Sequence, residues 1–473
     1  MKPVIPFVIF AMLAASVAAA DRPPNIVLIL ADDLGWTDLG SYGSRYYETP
    51  NIDRLRSEGL KFTSAYTSAA QCAPTRACLM TGRDLGRHGV WAVDRIRGKE
   101  KFRKMVPPVN HTELPLSERT IGDALKSAGY TTGMFGKWHL GNEGAHYPAK
   151  RGFDRALINV LHPARHFRFQ TIPPVEVDPK TYLADFLTDC ALEFLEASQE
   201  KPFFLYLPHF AVHGPIDAKA DKIGKFEKKE SDGRHSNATY AAMIESLDES
   251  VGRVVAKVDE LGIAENTVVI FYSDNGGAGG YEREGVQWVS GTQGKPFQPT
   301  DNFPLRGGKG MLYEGGIRVP MIVRWPRVVE AGSQTDESVT STDFFPTLVE
   351  LANASSPEQE LDGVSLVSLL RSSGRRRLAS KALHWHYPSY LQGDAEKGTG
   401  RITPSGAIRA GDYKLLEWFE DGRLELYNLR DDLGEQKDLA AVMPAKVTEL
   451  QAQLATWRER TNAPMPNLKQ WEP

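Results

Sequence analysis

Four apolar runs in the chain have the length of buried strands. They span residues 25–30, 203–207, 268–272 and 319–325. A strand that helices cover on both faces is apolar throughout, whereas a strand with one wet face alternates between apolar and polar residues. We therefore predict that these four runs are strands of one parallel sheet.

Segments with apolar residues at helical spacing lie between these runs. The clearest are residues 120–128, 183–197 and 240–261, of which the first begins with a polar cap and ends at a glycine. Strands and helices that alternate over this length are typical of a doubly wound α/β sandwich. The predicted fold class is α/β, with a central, mostly parallel sheet flanked by helices.

The pattern changes near residue 374, after an arginine-rich stretch at 371–377 that we interpret as an exposed connector. Short strand-like pieces follow at 382–385, 407–409, 413–419 and 423–427. An Asp-Gly pair between the last two predicts a hairpin, and residues 445–461 have helical spacing. We predict a large α/β domain over residues 21–374 and a small antiparallel α+β subdomain over residues 375–473.

The start of the chain predicts a secretion signal. Lys2 precedes an apolar stretch at 4–17, and the alanines at 18–20 fit a small-residue cleavage site. The stretch is short and polar residues follow at 21–24, which disfavours a membrane-spanning helix. We therefore expect residues 1–20 to be a signal peptide and the protein to be exported to the periplasm or the exterior, without stable membrane insertion.

The overall composition argues against two classes of protein. With 56 basic and 60 acidic residues the formal net charge is −4, which does not suit a dedicated nucleic-acid-binding protein. Three cysteines in 473 residues do not make a disulfide framework. If Cys72 has a chemical role, Cys78 and Cys190 either pair with each other or stay as separate buried thiols.

Two of the predicted strands are followed directly by side chains that carry oxygen atoms. Asp32 and Asp33 follow the first strand, and Asp274 and Asn275 follow the third. Each pair alone would be typical of a turn, but the carboxyl ends of parallel strands meet at one edge of a sheet, where α/β proteins bind ligands. Oxygen ligands suit a hard cation such as Ca²⁺, with Mg²⁺ as an alternative, and no Cys/His group has zinc spacing. The sequence therefore predicts a calcium site.

Residues 72–83 read Cys-Ala-Pro-Thr-Arg-Ala-Cys-Leu-Met-Thr-Gly-Arg. The order Cys-x-Pro-x-Arg followed by Leu-x-Thr-Gly resembles the sulfatase signature. A structural cysteine beside a proline turn would explain the first part alone, but further segments resemble elements of the same family in the same order. They are residues 49–55, 132–141, 210–215, 303–310 with 314–320, and 426–429. The resemblance is to formylglycine-dependent type I sulfatases of the alkaline phosphatase superfamily, and it extends from residue 24 to about residue 439.

This resemblance implies an alkaline-phosphatase-like fold, a sulfuric ester hydrolase and a modified nucleophile. In the family, the cysteine that corresponds to Cys72 is converted to Cα-formylglycine by a formylglycine-generating enzyme, and the hydrate of that aldehyde attacks sulfur. One hydroxyl of the hydrate can attack while the other later loses its proton and expels sulfate, which splits a hard hydrolysis into two easier steps. The metal would hold a sulfate oxygen together with the hydroxyl of residue 72.

The resemblance also assigns five further catalytic residues: Arg76, Lys137, His139, His213 and Lys309. Arg76 lies four residues after Cys72, on the same face if a helix follows, and would orient the nucleophile. Lys137 and Lys309 would neutralise sulfate oxygens. His139 would take the proton that triggers sulfate release, and His213, with Lys309, would assist the leaving alcohol.

Local context favours a functional role for Lys137 and His139. They lie two residues apart, so they share a face in an extended segment, and the glycines at 136 and 141 permit close backbone approach. His209 competes with His213, but its place directly after Pro208 at a strand end favours packing.

Substrate-binding residues are less clear from the sequence. The candidates are Arg165 in a basic cluster, Trp288 in a Gly-rich stretch, and His384 and His386 in a predicted strand of the small subdomain. Basic groups suit a polyanionic sulfated glycan, and aromatic or imidazole rings suit a sugar. A solvated surface, or a half-buried strand, explains the same residues.

The sequence thus predicts an exported sulfatase that hydrolyses a sulfate ester, with a carbohydrate as the expected substrate. One alternative is a phosphonate or phosphate mono- or diester hydrolase of the same superfamily, which relative rates on matched aryl esters would distinguish. The other is an inactive secreted glycan-binding protein, which the mass of the peptide around residue 72 would distinguish.

Overall fold

A computed structural model describes residues 22–93, 103–161, 165–281, 284, 298–355, 358–379, 381–394 and 399–469. The strands are β1 Asn25–Ala31, β2 Leu60–Phe62, β3 Met105–Val106, β4 Thr131–Gly136, β5 Arg155–Asn159, β6 Thr171–Ile172, β7 Phe203–Pro208, β8 Thr267–Ser273, β9 Met321–Arg324, β10 Ser333–Thr335, β11 Leu383–Tyr387, β12 Leu391–Asp394, β13 Thr399–Ile402, β14 Ser405–Ala410, β15 Tyr413–Trp418, β16 Leu424–Asn428 and β17 Asn467–Leu468. The helices are α1 Pro50–Ser57, α2 Cys72–Thr81, α3 Leu85–His88, α4 Ile121–Ser127, α5 Leu183–Ala197, α6 Ala220–Phe226, α7 Ala238–Glu260, α8 Glu314–Ile317, α9 Phe344–Leu351, α10 Val367–Arg371 and α11 Pro444–Thr461. Short 3₁₀ turns lie at Gly40–Tyr42, Gly144–His146, Pro148–Lys150, Ala264–Asn266 and Ser341–Asp343.

Within the described ranges, a nine-stranded sheet has the order β10-β2-β9-β8-β1-β7-β4-β5-β6. β1 lies between β8 and β7 and is parallel to both, and β4 and β5 continue in the same direction. β9 and β6 are antiparallel to their neighbours. The prediction of a central, mostly parallel sheet is confirmed.

Alternate side chains of β1 enter two separate hydrophobic cores. Ile26 and Leu28 pack in a core that includes α2, α4, α9 and α10. Val27 and Ile29 pack in a second core that includes α1, α5 and α7. Helices therefore cover both faces of the sheet, which is why this strand has no polar face. Truncation of one such side chain, as in Leu28→Ala, costs about 2–5 kcal/mol.

The predicted helices are confirmed as α4, α5 and α7, but one strand runs in the unexpected direction. The apolar run at 319–325 forms β9, which is antiparallel to β8. Met321, the first residue of β9, pairs with Tyr272 near the end of β8, so the chain enters β9 at the same end of the sheet at which it leaves β8. An antiparallel neighbour of this kind needs no crossover that returns the chain to the other end of the strands.

The C-terminal part of the chain forms an antiparallel sheet with the order β11-β14-β15-β16. β15 and β16 make the predicted hairpin, and Gly422 in their connection has a φ of 70°. α11 covers one face, where Leu450 and Leu454 pack with Ile408 and Leu415. The predicted small antiparallel sheet with its helix is confirmed.

The other face of the C-terminal sheet packs against a segment that precedes α8. Trp385 and Leu416 of the sheet share a buried cluster with Met311, Leu312 and Tyr313. These three residues follow Lys309 closely in the chain, so the C-terminal sheet supports the loop that carries this lysine.

A buried ion group lies in the same interface. Lys414 of β15 is fully buried, and its Nζ lies 2.9 Å from Glu314 Oε1 and 2.8 Å from Glu435 Oε1. Glu314 also accepts hydrogen bonds from the Tyr66 hydroxyl at 2.7 Å and from Arg318 Nη1 at 3.2 Å. Glu435 Oε2 accepts a hydrogen bond of 2.7 Å from the Glu314 N–H. The interface between the C-terminal sheet and the segment around α8 is therefore held by buried ionic contacts as well as by hydrophobic ones.

Two further expectations concern the chain as a whole. Cys78 and Cys190 are free thiols, which agrees with separate cysteines and not with a disulfide. Among the described residues, no helix combines the length and the apolar character needed to cross a membrane.

Candidate active site

The candidate site lies at the carboxyl ends of four adjacent parallel strands, β8, β1, β7 and β4. Asp32 and Asp33 follow β1, and Asp274 follows β8. Lys137 follows β4, and His213 lies on the loop after β7. Strands in parallel register present their last residues at the same edge, so the topology brings together residues that are far apart in the sequence.

Cys72 is the first residue of α2, after Gln71 in an extended conformation. Its thiol donates a hydrogen bond to Asp32 Oδ1 at 3.2 Å, and Lys309 Nζ lies 3.6 Å from its sulfur. The unsatisfied N–H groups and the dipole of a helix N-terminus favour negative charge at this position. The helix backbone thus favours negative charge at position 72, whereas burial and the carboxylates of Asp274 and Asp32 oppose it.

Three carboxylates and three cationic side chains surround the thiol. Lys137 Nζ lies 2.5 Å from Asp32 Oδ2, and Lys309 Nζ lies 2.7 Å from Asp33 Oδ2. Arg76 contacts Asp274 Oδ2 with Nε at 2.9 Å and Nη2 at 2.7 Å. The formal charges of these six groups cancel. A divalent cation would give the site a net positive charge, which suits an anionic ester.

Arg76 lies one turn along α2 from Cys72, as the spacing predicts, and is fully buried. Its guanidinium also donates to the Lys137 carbonyl oxygen at 2.5 Å and lies 3.9 Å from Asp32 Oδ2. The contacts of Arg76 are therefore with the residues around Cys72. Its geometry favours holding Asp274 and the backbone at Lys137 in place.

The residues fit a hard cation. Ligand atoms of Asp32, Asp33, Cys72 and His213 all lie within 4.8 Å of one another. Asn275 Nδ2 donates to Asp33 Oδ1 at 2.9 Å, while its buried Oδ1 has no hydrogen-bond partner among the described residues. A buried oxygen without a partner is costly unless a cation or water satisfies it. The oxygen donors match the preference of Ca²⁺ or Mg²⁺.

Asp274 has a different environment from the other carboxylates. Its Oδ2 is held by Arg76 and its Oδ1 accepts a weak hydrogen bond of 3.2 Å from the Asp33 N–H. Burial and the charge of Asp32 raise its pKa to about 6. Burial also opposes ionisation of Asp33, but the charges of Lys309 and Lys137 outweigh it and hold the pKa of Asp33 below its ordinary value.

The pKa values of Cys72 and Lys309 both shift in the direction that keeps these groups protonated. Burial, together with the charges of Asp274 and Asp32, raises the pKa of the Cys72 thiol well above its ordinary value. Burial disfavours charge on Lys309 as well, but Asp33 outweighs it and raises the pKa of Lys309. An unmodified thiol here is a poor nucleophile, since only the thiolate reacts.

The two predicted histidines face this charged group as neutral imidazoles. Burial and the nearby Lys137 lower the pKa of His139, and burial and Lys309 lower that of His213. His213 Nε2 lies 3.7 Å from Asp33 Oδ2, and its Nδ1 lies 2.5 Å from the Gly214 carbonyl oxygen, to which it donates. Because Nδ1 carries the proton, the lone pair of His213 is on Nε2 and faces the site.

Close backbone contact explains one of the glycines beside Lys137. A Cβ on Gly136 would lie 2.0 Å from the Pro208 carbonyl oxygen, and the residue has a φ of 135°. The Lys137 N–H donates to that same carbonyl at 2.8 Å. The absent side chain thus lets the ends of β4 and β7 approach. His139 has a φ of 64°, so the segment is not extended there, and its buried Nδ1 has no hydrogen-bond partner among the described residues.

One residue near the site carries no recognisable signal in the sequence. His166 is buried and its Nε2 donates to the His213 carbonyl oxygen at 2.9 Å. Its ring lies between Phe210, at 4.8 Å, and Tyr182, at 5.7 Å. The only sequence feature there is a basic cluster, which does not indicate a histidine that holds the His213 loop. His209 is buried and hydrogen-bonded to Ser250 at 2.9 Å, in agreement with packing.

The two histidines proposed to bind a sugar are packed against other residues of the C-terminal part of the chain. His386 is 2% exposed and its Nε2 donates to the Pro464 carbonyl oxygen at 2.8 Å. His384 stacks on Trp457 of α11 with ring centroids 5.0 Å apart. Their rings fill the contact between the small sheet and α11, so we correct both assignments to packing. Arg165 is exposed, and Trp288 lies outside the described residues.

Comparisons with known proteins agree with this geometry. A family model described as Sulfatase matches residues 24–354, and one described as N-sulphoglucosamine sulphohydrolase, C-terminal, matches residues 308–462. A protein of Formosa agariphila named Sulfatase is 35% identical over 98% of this chain and 95% of its own. Arylsulfatase A of Homo sapiens is 35% identical over 82% of this chain and 76% of its own.

Solved structures show the same fold. Ps i-CgsB, crystallised in complex with k-i-k-neocarrahexaose, has a TM-score of 0.76 and 29% identity and covers 92% of this chain and 93% of its own. The predicted alkaline-phosphatase-like architecture is thereby confirmed. Family model, relatives and fold lead to one conclusion: this chain belongs to the sulfatase family and is a sulfuric ester hydrolase.

Proposed function

We propose that the protein is an exported sulfatase that removes sulfate from a carbohydrate, with formylglycine at position 72 and a bound Ca²⁺. The observation that carries this proposal is the position of Cys72, at a helix N-terminus and within 3.2 Å of Asp32 and 3.6 Å of Lys309. A formylglycine-generating enzyme would be required during maturation. Asp32, Asp33 and Asn275 would hold the cation, with Asp274 and residue 72 as the other ligands.

Formylglycine at position 72 would supply an attacking hydroxyl through its hydrate, and a Ca²⁺ held by the carboxylates would supply Lewis-acid chemistry toward sulfate. The other steps belong to the side chains of the chain itself. Lys137 and Lys309 remain protonated beside their carboxylates and can share sulfate oxygens as negative charge develops on the leaving oxygen. Their positions are fixed before substrate binds, so little reorganisation accompanies the reaction.

The two histidines would have different roles in proton transfer. His213 with Lys309 would assist the leaving alcohol, because both lie beside Asp33. Lys309 is the protonated group of the two and is the source of the proton, and the free Nε2 of His213 can pass that proton to the leaving oxygen. His139 would accept the proton whose loss releases sulfate, because its Nδ1 has no hydrogen-bond partner among the described residues. General acid–base assistance of this kind contributes about 10²- to 10⁴-fold.

A sulfated carbohydrate is the proposed substrate class. Ps i-CgsB is named in complex with a neocarrahexaose, and relatives of Rattus norvegicus and Mus musculus are named N-acetylgalactosamine-6-sulfatase, at 33% and 32% identity over 76% of this chain. Arg165 supports the proposal, because it is exposed and adjoins His166, which holds the His213 carbonyl. Arg165 would contact anionic groups of a glycan beyond the reacting sulfate.

The modification has a direct test by mass spectrometry. When the protein is made with a formylglycine-generating enzyme, the tryptic peptide with residue 72 should be about 18 Da lighter than its thiol form, since an aldehyde replaces the thiol. Cys72→Ser, made in a host that converts only cysteine, should be inactive, and Cys190→Ser should keep both the mass shift and the activity. Full activity of Cys72→Ser would contradict the proposal.

The substrate class is tested by sulfate release from defined sulfated mono- and oligosaccharides. Nitrophenyl sulfate serves as a control because it lacks a sugar. Arg165→Ala should raise KM for a sulfated oligosaccharide and leave KM for nitrophenyl sulfate unchanged. Faster hydrolysis of matched aryl phosphates or phosphonates than of aryl sulfates would favour the alternative hydrolase.

A further inference from the structure

A fully buried carboxylate lies behind the loop that follows β1. Asp38 Oδ2 accepts hydrogen bonds of 2.8 Å from the Gly35 N–H and 2.8 Å from the Tyr240 hydroxyl, and its Oδ1 accepts one of 2.6 Å from the Thr300 hydroxyl. His235 Nε2 lies 3.8 Å from Oδ1. A buried carboxylate costs several kcal/mol unless its oxygens are satisfied. Its retention with this many donors indicates a role beyond filling space.

The contacts of Asp38 lead to Asp33. The Tyr240 hydroxyl that contacts Asp38 also lies 3.2 Å from the Asp33 carbonyl oxygen, and Gly35 follows Asp33 by two residues. Asp33 has a φ of 65°, which for a non-glycine residue costs about 1–3 kcal/mol and persists only where the surroundings enforce it. Asp38 and Tyr240 therefore hold the backbone directly after a strained residue.

The same carboxylate connects two polar stretches of the chain to this loop. Thr300 belongs to one stretch and His235 to the other. The Nε2 of His235 donates to the Asp301 carbonyl oxygen at 2.9 Å, and its ring stacks on Tyr47 with centroids 4.4 Å apart. His235 thereby joins the two polar stretches next to the Asp38 carboxylate.

We propose that Asp38 is a positioning residue that acts through Tyr240 to keep the Asp33 carboxylate aimed at the cation. The inference rests on the proposed role of Asp33 as a metal ligand. Supporting partners of this kind typically change metal affinity about 10- to 100-fold when they are removed. The hydrogen bonds of Asp38 go to Gly35, Tyr240 and Thr300 and not to the oxygens of the proposed ligands, so its effect on the cation site is through geometry.

Calcium affinity of the full chain provides the test. The protein is stripped with EDTA and titrated with CaCl₂ by calorimetry, for wild type, Asp38→Asn, Tyr240→Phe and Tyr47→Phe. Tyr47 is the matched control, because its buried hydroxyl contacts Thr300 at 3.3 Å but has no hydrogen bond to Asp38 or Asp33. We expect the Kd to rise about 10- to 100-fold for Asp38→Asn and Tyr240→Phe, and to stay at the wild-type value for Tyr47→Phe.

Melting temperatures in EDTA separate positioning from general destabilisation. In EDTA, Tyr240→Phe should melt at a somewhat lower temperature than Tyr47→Phe, because its hydroxyl binds a buried carboxylate and not a neutral hydroxyl. The rise in melting temperature that Ca²⁺ causes should equal that of wild type only in Tyr47→Phe. Wild-type affinity in both Asp38→Asn and Tyr240→Phe would overturn the inference, and so would an equal loss of affinity in Tyr47→Phe. A wild-type protein that binds no Ca²⁺ would instead refute the proposed metal role of Asp33.

Discussion

Glu435 should make the protein less stable as the pH rises towards neutrality. Lys414 and Arg318 outweigh the effect of burial on Glu314 and lower its pKa to about 2, so Glu314 is ionised. Glu435 shares Lys414 with this charged neighbour. Burial and the charge of Glu314 raise the pKa of Glu435 to about 7, although Lys414 opposes the change. Glu435 thus stays protonated in the folded protein at a pH where it ionises in the unfolded chain.

The sign and size of the effect follow from linkage. Between the unfolded pKa of 4.5 and the folded pKa of about 7, the folded state binds more protons than the unfolded state. The stabilisation is therefore complete below the lower value and is lost as the pH rises through the higher one. At 1.36 kcal/mol per pKa unit, the loss is about 3 kcal/mol.

Glu435→Gln should remove this pH dependence, because glutamine resembles the protonated acid at every pH. Urea unfolding would compare the variant with wild type between about pH 5 and about pH 8. We expect equal stability at the acidic end and a variant that is more stable by up to about 3 kcal/mol at the alkaline end. Glu449→Gln, on α11 with its side chain 50% exposed, is the control and should show no such divergence. A constant difference between variant and wild type, or a variant that is less stable at high pH, would refute the reasoning.

Three other predictions concern the site. His213→Ala should slow hydrolysis of a sugar sulfate by about 10²- to 10⁴-fold but that of nitrophenyl sulfate much less, since nitrophenolate needs little protonation; equal losses in kcat would assign His213 to sulfate binding. Asn275→Ala should lose Ca²⁺ while keeping its melting temperature in EDTA, whereas Asp274→Ala should also have a free energy of unfolding lower by about 3–5 kcal/mol, because Arg76 is left unpaired. Elemental analysis and thermal unfolding check both variants, and stoichiometric zinc in the wild type would contradict the calcium assignment. Gly136→Ala should lower the free energy of unfolding by about 1–3 kcal/mol through backbone strain alone. An unchanged midpoint of urea unfolding would show that the ends of β4 and β7 can move apart.

The sequence was sufficient to predict the fold and the site where a local pattern of residues depends directly on the layered architecture. β1 and β8 are apolar because helices cover both faces, and their parallel register brings Asp32, Asp33 and Asp274 to one edge. The polar residues at strand ends therefore predict a shared site before any contact is known.

Local patterns could not predict the direction of a strand, or contacts between residues that lie far apart in the sequence. β9 is as apolar as a parallel strand, and only the path of the chain from β8 makes it antiparallel. His386 looks like a sugar ligand until its contact with Pro464, 78 residues away, is known. Asp38 and Tyr240 are 202 residues apart, and neither has a pattern that identifies the other.

The packing of the C-terminal sheet on residues 311–313 limits how sulfatases of this type can be recombined. A chimera that exchanges only residues after 374 would place the C-terminal sheet of another sulfatase against the Lys309 loop and Glu314 of this chain. Glu314 would then lose Lys414, the buried lysine that neutralises it. The C-terminal family model already begins at residue 308, one residue before Lys309. A C-terminal segment acquired from another lineage with these bounds would therefore bring its own lysine loop with it, together with the residue that we propose binds sulfate.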